Sequence, residues 1–217
     1  MLSDETRQQL QHIIRGTIIE GQNDTCKAVR NHLCASFSTS RTVKKDFEGQ
    51  SIIKKKQVAA LKAYALQHHL WITDLSAYGQ YLTHGGEATV YLAADQKNVI
   101  KLNNAVYYAT WLEYLNSLVL HNLFFSDTAY TFLGFTEIDN ELVAIVEQRY
   151  ISADGMADLE HIRQLLRFNG FENTKRQDYF NKEFGLILED LHDENVIAKD
   201  DLLFFIDTVF YIVAPTE

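Results

Sequence analysis

Proline is almost missing from this chain. The one proline in 217 residues is Pro215, and the 10 glycines are scattered. That leaves no Pro- or Gly-rich linker, and no internal repeat is visible. Cysteine is equally scarce. Cys26 and Cys34 are too few for a disulfide framework and show no metal-ligand spacing, so free thiols in a cytoplasmic setting are expected. No run reaches the roughly 18 apolar residues of a membrane helix; the longest candidate, 202–214, is interrupted by Asp207. The opening MLSDETRQQLQ is polar and lacks the apolar stretch of a signal peptide. No membrane association is expected.

What is present suffices for a core. Hydrophobic residues make up 47% of the chain, which excludes disorder as the default and fits one compact domain or one with a smaller appendage. Net charge is −9 and uneven. Residues 1–75 carry 11 Lys/Arg against 7 Asp/Glu, and residues 76–217 carry 9 against 22. The acidic body argues against a broad nucleic-acid face. In the basic front segment, Lys44-Lys45 and Lys54-Lys55-Lys56 read first as a solvated helix face, with phosphate contact as the lesser alternative.

Apolar spacing predicts helices over 4–20, over 23–36 (capped by Asn23 or Asp24) and over 51–69. Residues 1–75 therefore form a helical front. The texture changes at Tyr78. Three short antiparallel strands are expected up to Asn103, with turns at His84-Gly85-Gly86 and Asp95–Asn98. A helix over 105–124, a hairpin turning at Asp139-Asn140, a helix over 156–168 and strands near 185–189 and 203–206 follow. The order is that of an α+β fold, with boundaries near 75 and 150.

Four features carry chemistry. In HGGEATVYL, Gly85 and Gly86 sit at a turn where backbone amides can approach phosphate. Lys101, in NVIKL, ends an apolar strand and needs a partner if buried. The sole Asp, Glu, Lys or Arg between Leu102 and Ser126 is Glu113, on the following helix. It reads as the partner of Lys101 or as an exposed outer-face acid. The apolar run 143–146 ends at Glu147-Gln148-Arg149, where backbone groups could meet an adenine edge. Finally, GLILEDLHDENVIAKDDLLFFIDT places Asp190, Asn195 and Asp207 at strand ends. They are either strand-end turn residues or hard oxygen ligands suited to Mg²⁺, beside a carboxylate able to orient a hydroxyl.

The run Asp190-Leu191-His192-Asp193-Glu194-Asn195 resembles the D-L-x-x-x-N spacing of the protein-kinase catalytic loop. The glycine turn, the lysine strand, the helix acid, the apolar strand and Asp207 follow in kinase order over residues 78–217. The DLH…N form is also similar to aminoglycoside-phosphotransferase-like kinases. The wider text, including VIKLNN, LHNLFF, VEQRY and LLFFID, resembles the small kinase-like family found in polyvalent proteins of phages and conjugative elements.

That resemblance implies a protein-kinase-like fold. Residues 76–150 would be an N-lobe, a five-stranded antiparallel sheet with one long helix. Residues 151–217 would be a much reduced helical C-lobe. Residues 1–75 would be an extension of helices. It implies an ATP- and Mg²⁺-dependent phosphotransferase acting on an unknown acceptor, a small molecule or a protein. Asp190, Lys101 and Glu113 would be catalytic. Gly85, Gly86, Lys101, Glu147 and Arg149 would bind the nucleotide, and Asn195 and Asp207 would bind the metal. The alternative is a catalytically inactive kinase-like module that binds nucleotide or a partner.

The chain departs from the kinase pattern in several places. Aligned on Val90, the glycine loop reads Thr83-x-Gly85-x-x-Ala88-x-Val90. The H-R-D triplet is Leu188-Glu189-Asp190, the D-F-G triplet is Ile206-Asp207-Thr208, and no A-P-E element follows Asp207. These changes put phosphorylation of a protein in question more than nucleotide binding. His192 is placed to brace the loop, His121 reads as a core or helix-end residue, and Asp193, Glu194, Asp200 and Asp201 read as turn and solvent residues around the metal site.

Overall fold

The hydroxyl of Ser3 accepts the Thr6 amide and starts helix α1 (Asp4–Ile14), which buries Leu10 and Ile13. The helix stops short of the expected residue 20, because Gly16 adopts a left-handed backbone (φ 64°). Beyond it, Ile19 is buried. Its N–H donates to Asn31 Oδ1 at 3.0 Å, and its carbonyl accepts Asn31 Nδ2 at 2.8 Å. Asn31 belongs to helix α2 (Thr25–Ser36), where Asp24 accepts the Lys27 amide as the N-cap. Helix α3 (Phe47–Gln67) follows, with Gln57, Leu61 and Ala65 buried.

This computed structural model describes residues 3–20, 24–37, 47–86 and 88–213. Asn23, Lys44-Lys45 and Pro215 lie outside the described residues. The chain divides into two compact units: Gly16–Leu115 with Tyr130–Tyr150, and Met1–Arg15 with Asn116–Ala129 and Ile151–Glu217. Among the described residues, no helix is long and apolar enough to cross a membrane.

The first of these units holds α2, α3 and a five-stranded antiparallel sheet of order β1-β2-β3-β5-β4. Its strands are β1 (Gln80–His84), β2 (Ala88–Leu92), β3 (Asn98–Asn103), β4 (Thr131–Ile138) and β5 (Glu141–Arg149). Their β-branched and aromatic residues suit a half-buried pleated surface. The β4–β5 hairpin closes through Asp139 and Asn140, both left-handed at φ 52° and 65°, the conformation that matches strand twist. On one face of the sheet Ile100, Leu102, Val143 and Ile145 pack under Ile72, Leu75 and Tyr78. Alternation puts Lys101 on the other face, which it shares with its cross-strand partners Val90 and Val146.

Helix α4 (Trp111–Phe124) begins in this unit and ends in the other. Trp111 meets Phe135 edge-on, with ring centroids 5.7 Å apart. The helix starts six residues later than expected. Ala105 is left-handed (φ 55°), its amide held by Asn103 Oδ1 at 2.6 Å, so residues 105–110 form a turn.

The other unit departs from expectation. In place of a helical C-terminal part, the described chain after Tyr150 has one helix, α5 (Leu159–Phe168), and seven short strands. Strands β6 (Gly155–Met156), β10 (Val196–Lys199) and β11 (Leu202–Phe205) form one sheet; β7 (Glu172–Lys175), β8 (Asp178–Asn181), β9 (Leu186–Glu189) and β12 (Val209–Ile212) form another. The physical reason is turn chemistry. Left-handed residues recur every few positions: Gly170, Arg176, Gly185, Asp200 and Asp201. They fold four-residue apolar runs such as LILE, LLFF and VFYI back on themselves.

Candidate functional site

The β10–β11 hairpin brings two of the expected metal ligands to one end. Val196 pairs with Phe205 at its open end, and the Ile206 amide donates to the Asn195 carbonyl at 3.0 Å. Asn195 and Asp207 therefore flank the same hairpin mouth. Asp200 and Asp201 close the opposite end as a two-residue turn with φ 50° and 61°. They sit about 13 Å away, one four-residue strand, so the expectation that they surround the metal site is corrected.

Asp190 leaves β9 with a left-handed backbone (φ 66°), a conformation that aspartate tolerates better than most residues. Buried Leu191 anchors the loop behind it. Asn195 Nδ2 donates to the Asp190 carbonyl at 2.8 Å and to its carboxylate Oδ2 at 3.0 Å. His192 Nδ1 accepts the Glu194 amide at 3.3 Å. Its Nε2 lies 3.2 Å from Asn195 Nδ2 and 3.3 Å from Asp190 Oδ1. Both carboxylate oxygens thus have a neighbour, while the carboxyl stays 55% exposed and open to a substrate. Beside it, burial pushes the Glu189 carboxyl up, and the charges of Asp178 and Asp190 add to the effect.

With its amide nitrogen committed to Asp190, Asn195 has its Oδ1 for other ligands. That oxygen and the Asp207 carboxylate are hard oxygen donors of the type that would hold Mg²⁺, and phosphate and water would supply its remaining ligands. The donor set fits the ion that the resemblance implies. Among the described residues no group of three or more His, Cys, Asp or Glu is arranged to hold a metal.

In the sheet unit, Lys101 is 6% exposed, with Nζ 5.4 Å from the centre of the Tyr130 ring. Glu113 is not its partner. Glu113 Oε2 accepts the Ala109 amide at 2.9 Å, and Thr110 Oγ1 accepts the Glu113 amide at 3.2 Å. This is the reciprocal helix start that Thr-x-x-Glu encodes, and the spacing Thr110-Trp111-Leu112-Glu113 could have revealed it. The cation acting on Glu113 is Lys54 of α3. Burial raises the Glu113 carboxyl, two amide bonds and Lys54 opposing it. Burial also lowers Lys54, against the pull of Glu113 and Glu141. Lys54 Nζ donates to the carbonyls of Ala105 and Tyr108 at 2.6 and 2.8 Å.

Gly85 and Gly86 lie at the tip of the exposed β1–β2 edge hairpin, where the Gly85 amide donates to the Ala88 carbonyl at 2.9 Å. A Cβ on Gly86 would come within 3.0 Å of the Tyr107 hydroxyl. Glu147 and Arg149 point to the face of β5 opposite Lys101. Buried Gln148, paired with Val99, is the residue that shares the lysine's face. The strand period alone would have selected it. Pairing with β4 starts at Thr131↔Glu147, whereas pairing with β3 runs to Asn98↔Arg149. The last two residues of β5 thus have a strand neighbour on the β3 side alone. Sequence reading also passed over Gln57 and the partners of His121.

No curated protein and no solved structure matches the chain. The model of the serine/threonine/tyrosine kinases found in polyvalent proteins matches residues 54–214, beginning at the lysine that faces Glu113. Its span takes in the sheet, the Asp190 loop and the hairpin that carries Asn195 and Asp207, and the chain belongs to that family of kinases.

Proposed function

We propose that this kinase-family protein is an ATP- and Mg²⁺-dependent phosphotransferase, the sheet unit serving as nucleotide lobe and the hairpin unit as catalytic lobe. The observation that carries the reading is the hairpin mouth. Asn195 and Asp207 flank it, and Asn195 is bonded to both the backbone and the carboxylate of Asp190. Asp190 orients the acceptor hydroxyl and takes its proton. Asn195 Oδ1 and Asp207 hold Mg²⁺, which neutralises charge on the phosphates. Lys101, desolvated beneath the sheet, contacts phosphate. The end of β5, with a strand neighbour on one side alone, offers backbone groups to the base. The acceptor is a hydroxyl of a small molecule or a protein.

Asp190→Ala in the purified protein is expected to abolish ATP turnover and to keep the shift in melting temperature that ATP with Mg²⁺ produces. Turnover unchanged by that substitution would refute the assignment.

One observation favours a second reading, a nucleotide- or partner-binding module without turnover: Glu113 is engaged by Ala109 and Lys54 instead of Lys101. Ligand binding stabilises by mass action. A melting temperature unmoved by millimolar ATP and Mg²⁺ would favour a module that binds a protein partner. A shift without any measurable turnover would favour a nucleotide-binding one.

A further inference from the structure

His121, on α4, is fully buried. The rings of Phe125 and Phe205 stack at 4.2 Å close by, and the imidazole lies 5.5 Å from Phe125. Packing alone would favour a hydrocarbon here, since a buried imidazole is costly unless both nitrogens are satisfied. Both are. Nε2 lies 2.9 Å from the Thr128 carbonyl, and Nδ1 lies 2.7 Å from Thr208 Oγ1. A carbonyl can only accept, so Nε2 carries a proton, and Nδ1 is hydrogen-bonded to the Thr208 hydroxyl.

The target of this network is specific. Thr208 directly follows Asp207. Thr128 Oγ1 donates to the carbonyl of Phe205, two residues before Asp207, at 2.5 Å. The Phe210 amide donates to Ser117 Oγ, one turn earlier on α4, at 3.0 Å. The segment carrying Asp207 is thus fastened to α4 and its following turn at residues 205, 208 and 210. The His121 ring makes one fastening directly and braces a second through Thr128.

We propose that His121 is a positioning residue for the metal site: through the Thr208 hydroxyl it fixes the Asp207 carboxylate in the pose that takes Mg²⁺ with the nucleotide. This rests on the reading of Asp207 as a metal ligand. It assigns α4 a role in metal affinity, separate from the role of its N-terminal turn.

Four variants test it. Asn at 121 can place an amide where Nδ1 lies, and Gln where Nε2 lies. His121→Asn therefore keeps the Thr208 contact, and His121→Gln keeps the Thr128 contact. Thr208→Val removes the hydroxyl at nearly constant volume, and Thr208→Ser restores it. The readout is the Mg²⁺ concentration that half-saturates the thermal shift at fixed excess ATP, with KM for ATP and kcat of turnover measured alongside.

His121→Gln and Thr208→Val are expected to need about tenfold more Mg²⁺, one hydrogen bond's worth of coupling. Thr208→Ser should stay near wild type, and His121→Asn should lie nearer to wild type than His121→Gln does. If His121→Gln fails to fold, the Thr208 pair carries the test. Equal Mg²⁺ requirements for Thr208→Val and wild type, whatever the change in unliganded stability, would overturn the inference alone. A wild-type ATP shift that ignores Mg²⁺ would overturn the metal site and this inference together.

Discussion

Helix α4 borrows its first hydrogen-bond acceptors from another helix. The opening amides of any helix lack intrahelical partners. Here Gln57 of α3, 1% exposed, places Oε1 2.8 Å from the Trp111 amide and 3.3 Å from that of Leu112. Gln57→Leu keeps the bulk and removes the acceptor from both amides. Stranding a buried N–H costs about 1–3 kcal/mol, and losing a cap costs about 0.5–2 kcal/mol. The longer contact to Leu112 contributes less, so the total expected is about 2–4 kcal/mol. At roughly 2–4 °C per kcal/mol for a chain of this size, the melting temperature should fall by about 5–15 °C. Gln57→Glu retains the acceptor oxygens, and burial favours its neutral form, so it should recover part of the loss, more at acid than at neutral pH. Urea denaturation gives the free energies, and hydrogen exchange at Trp111 and Leu112 localises the change. A Gln57→Leu protein within about 0.5 kcal/mol of wild type, with unaltered exchange at both amides, would refute the argument.

Gly134 (φ 155°) leaves no room for a side chain, because a Cβ would stand 2.2 Å from the Leu70 carbonyl oxygen. That oxygen accepts the Phe135 amide at 2.8 Å, so Gly134→Ala must displace the bonded backbone and should cost about 3 kcal/mol or more. Urea unfolding at wild-type stability would contradict this. Glu113 titrates in the opposite sense to a salt-bridged acid. Burial holds its folded-state carboxyl above the ordinary value, so the folded chain binds this proton more tightly than the unfolded one. Its stabilising contribution is full below the unfolded carboxyl range and is lost as pH rises through the folded value. Glu113→Gln should flatten the fall in stability above about pH 4, and urea midpoints followed from acid to neutral pH would show an undiminished slope if the sign is wrong.

Strands announced themselves in the sequence wherever β-branched and aromatic runs met turn residues. The strand regions of the sheet, the Asp139-Asn140 turn and the hairpin strand ending at Phe205 were readable in this way. The many small hairpins after Tyr150 were not. Four-residue runs such as ENTK and DYFN carry too little periodicity, and a left-handed Arg176 has no compositional mark. The residue types and order of Asp190, Asn195 and Asp207 resemble a kinase catalytic loop in the sequence, and the structure joins the first two through hydrogen bonds from Asn195 to the Asp190 carbonyl and carboxylate. Glu113 was misassigned because a lone acid on an apolar helix invited a search for a distant cation, while its nearest partner was an amide four residues back. Gln57 and His121 escaped for a common reason: a long-range acceptor at a helix end or beside a strand leaves no trace in local spacing.

The polypeptide passes from one compact unit to the other four times, after residues 15, 115, 129 and 150. Neither unit is therefore a contiguous stretch that a single restriction site could deliver. An expression fragment ending at Tyr150 would retain residues 116–129 stripped of Phe171, Phe205 and Phe210, the rings against which Phe124 and Phe125 lie. It would present greasy surface to solvent and go to inclusion bodies, so workable boundaries must enclose both units.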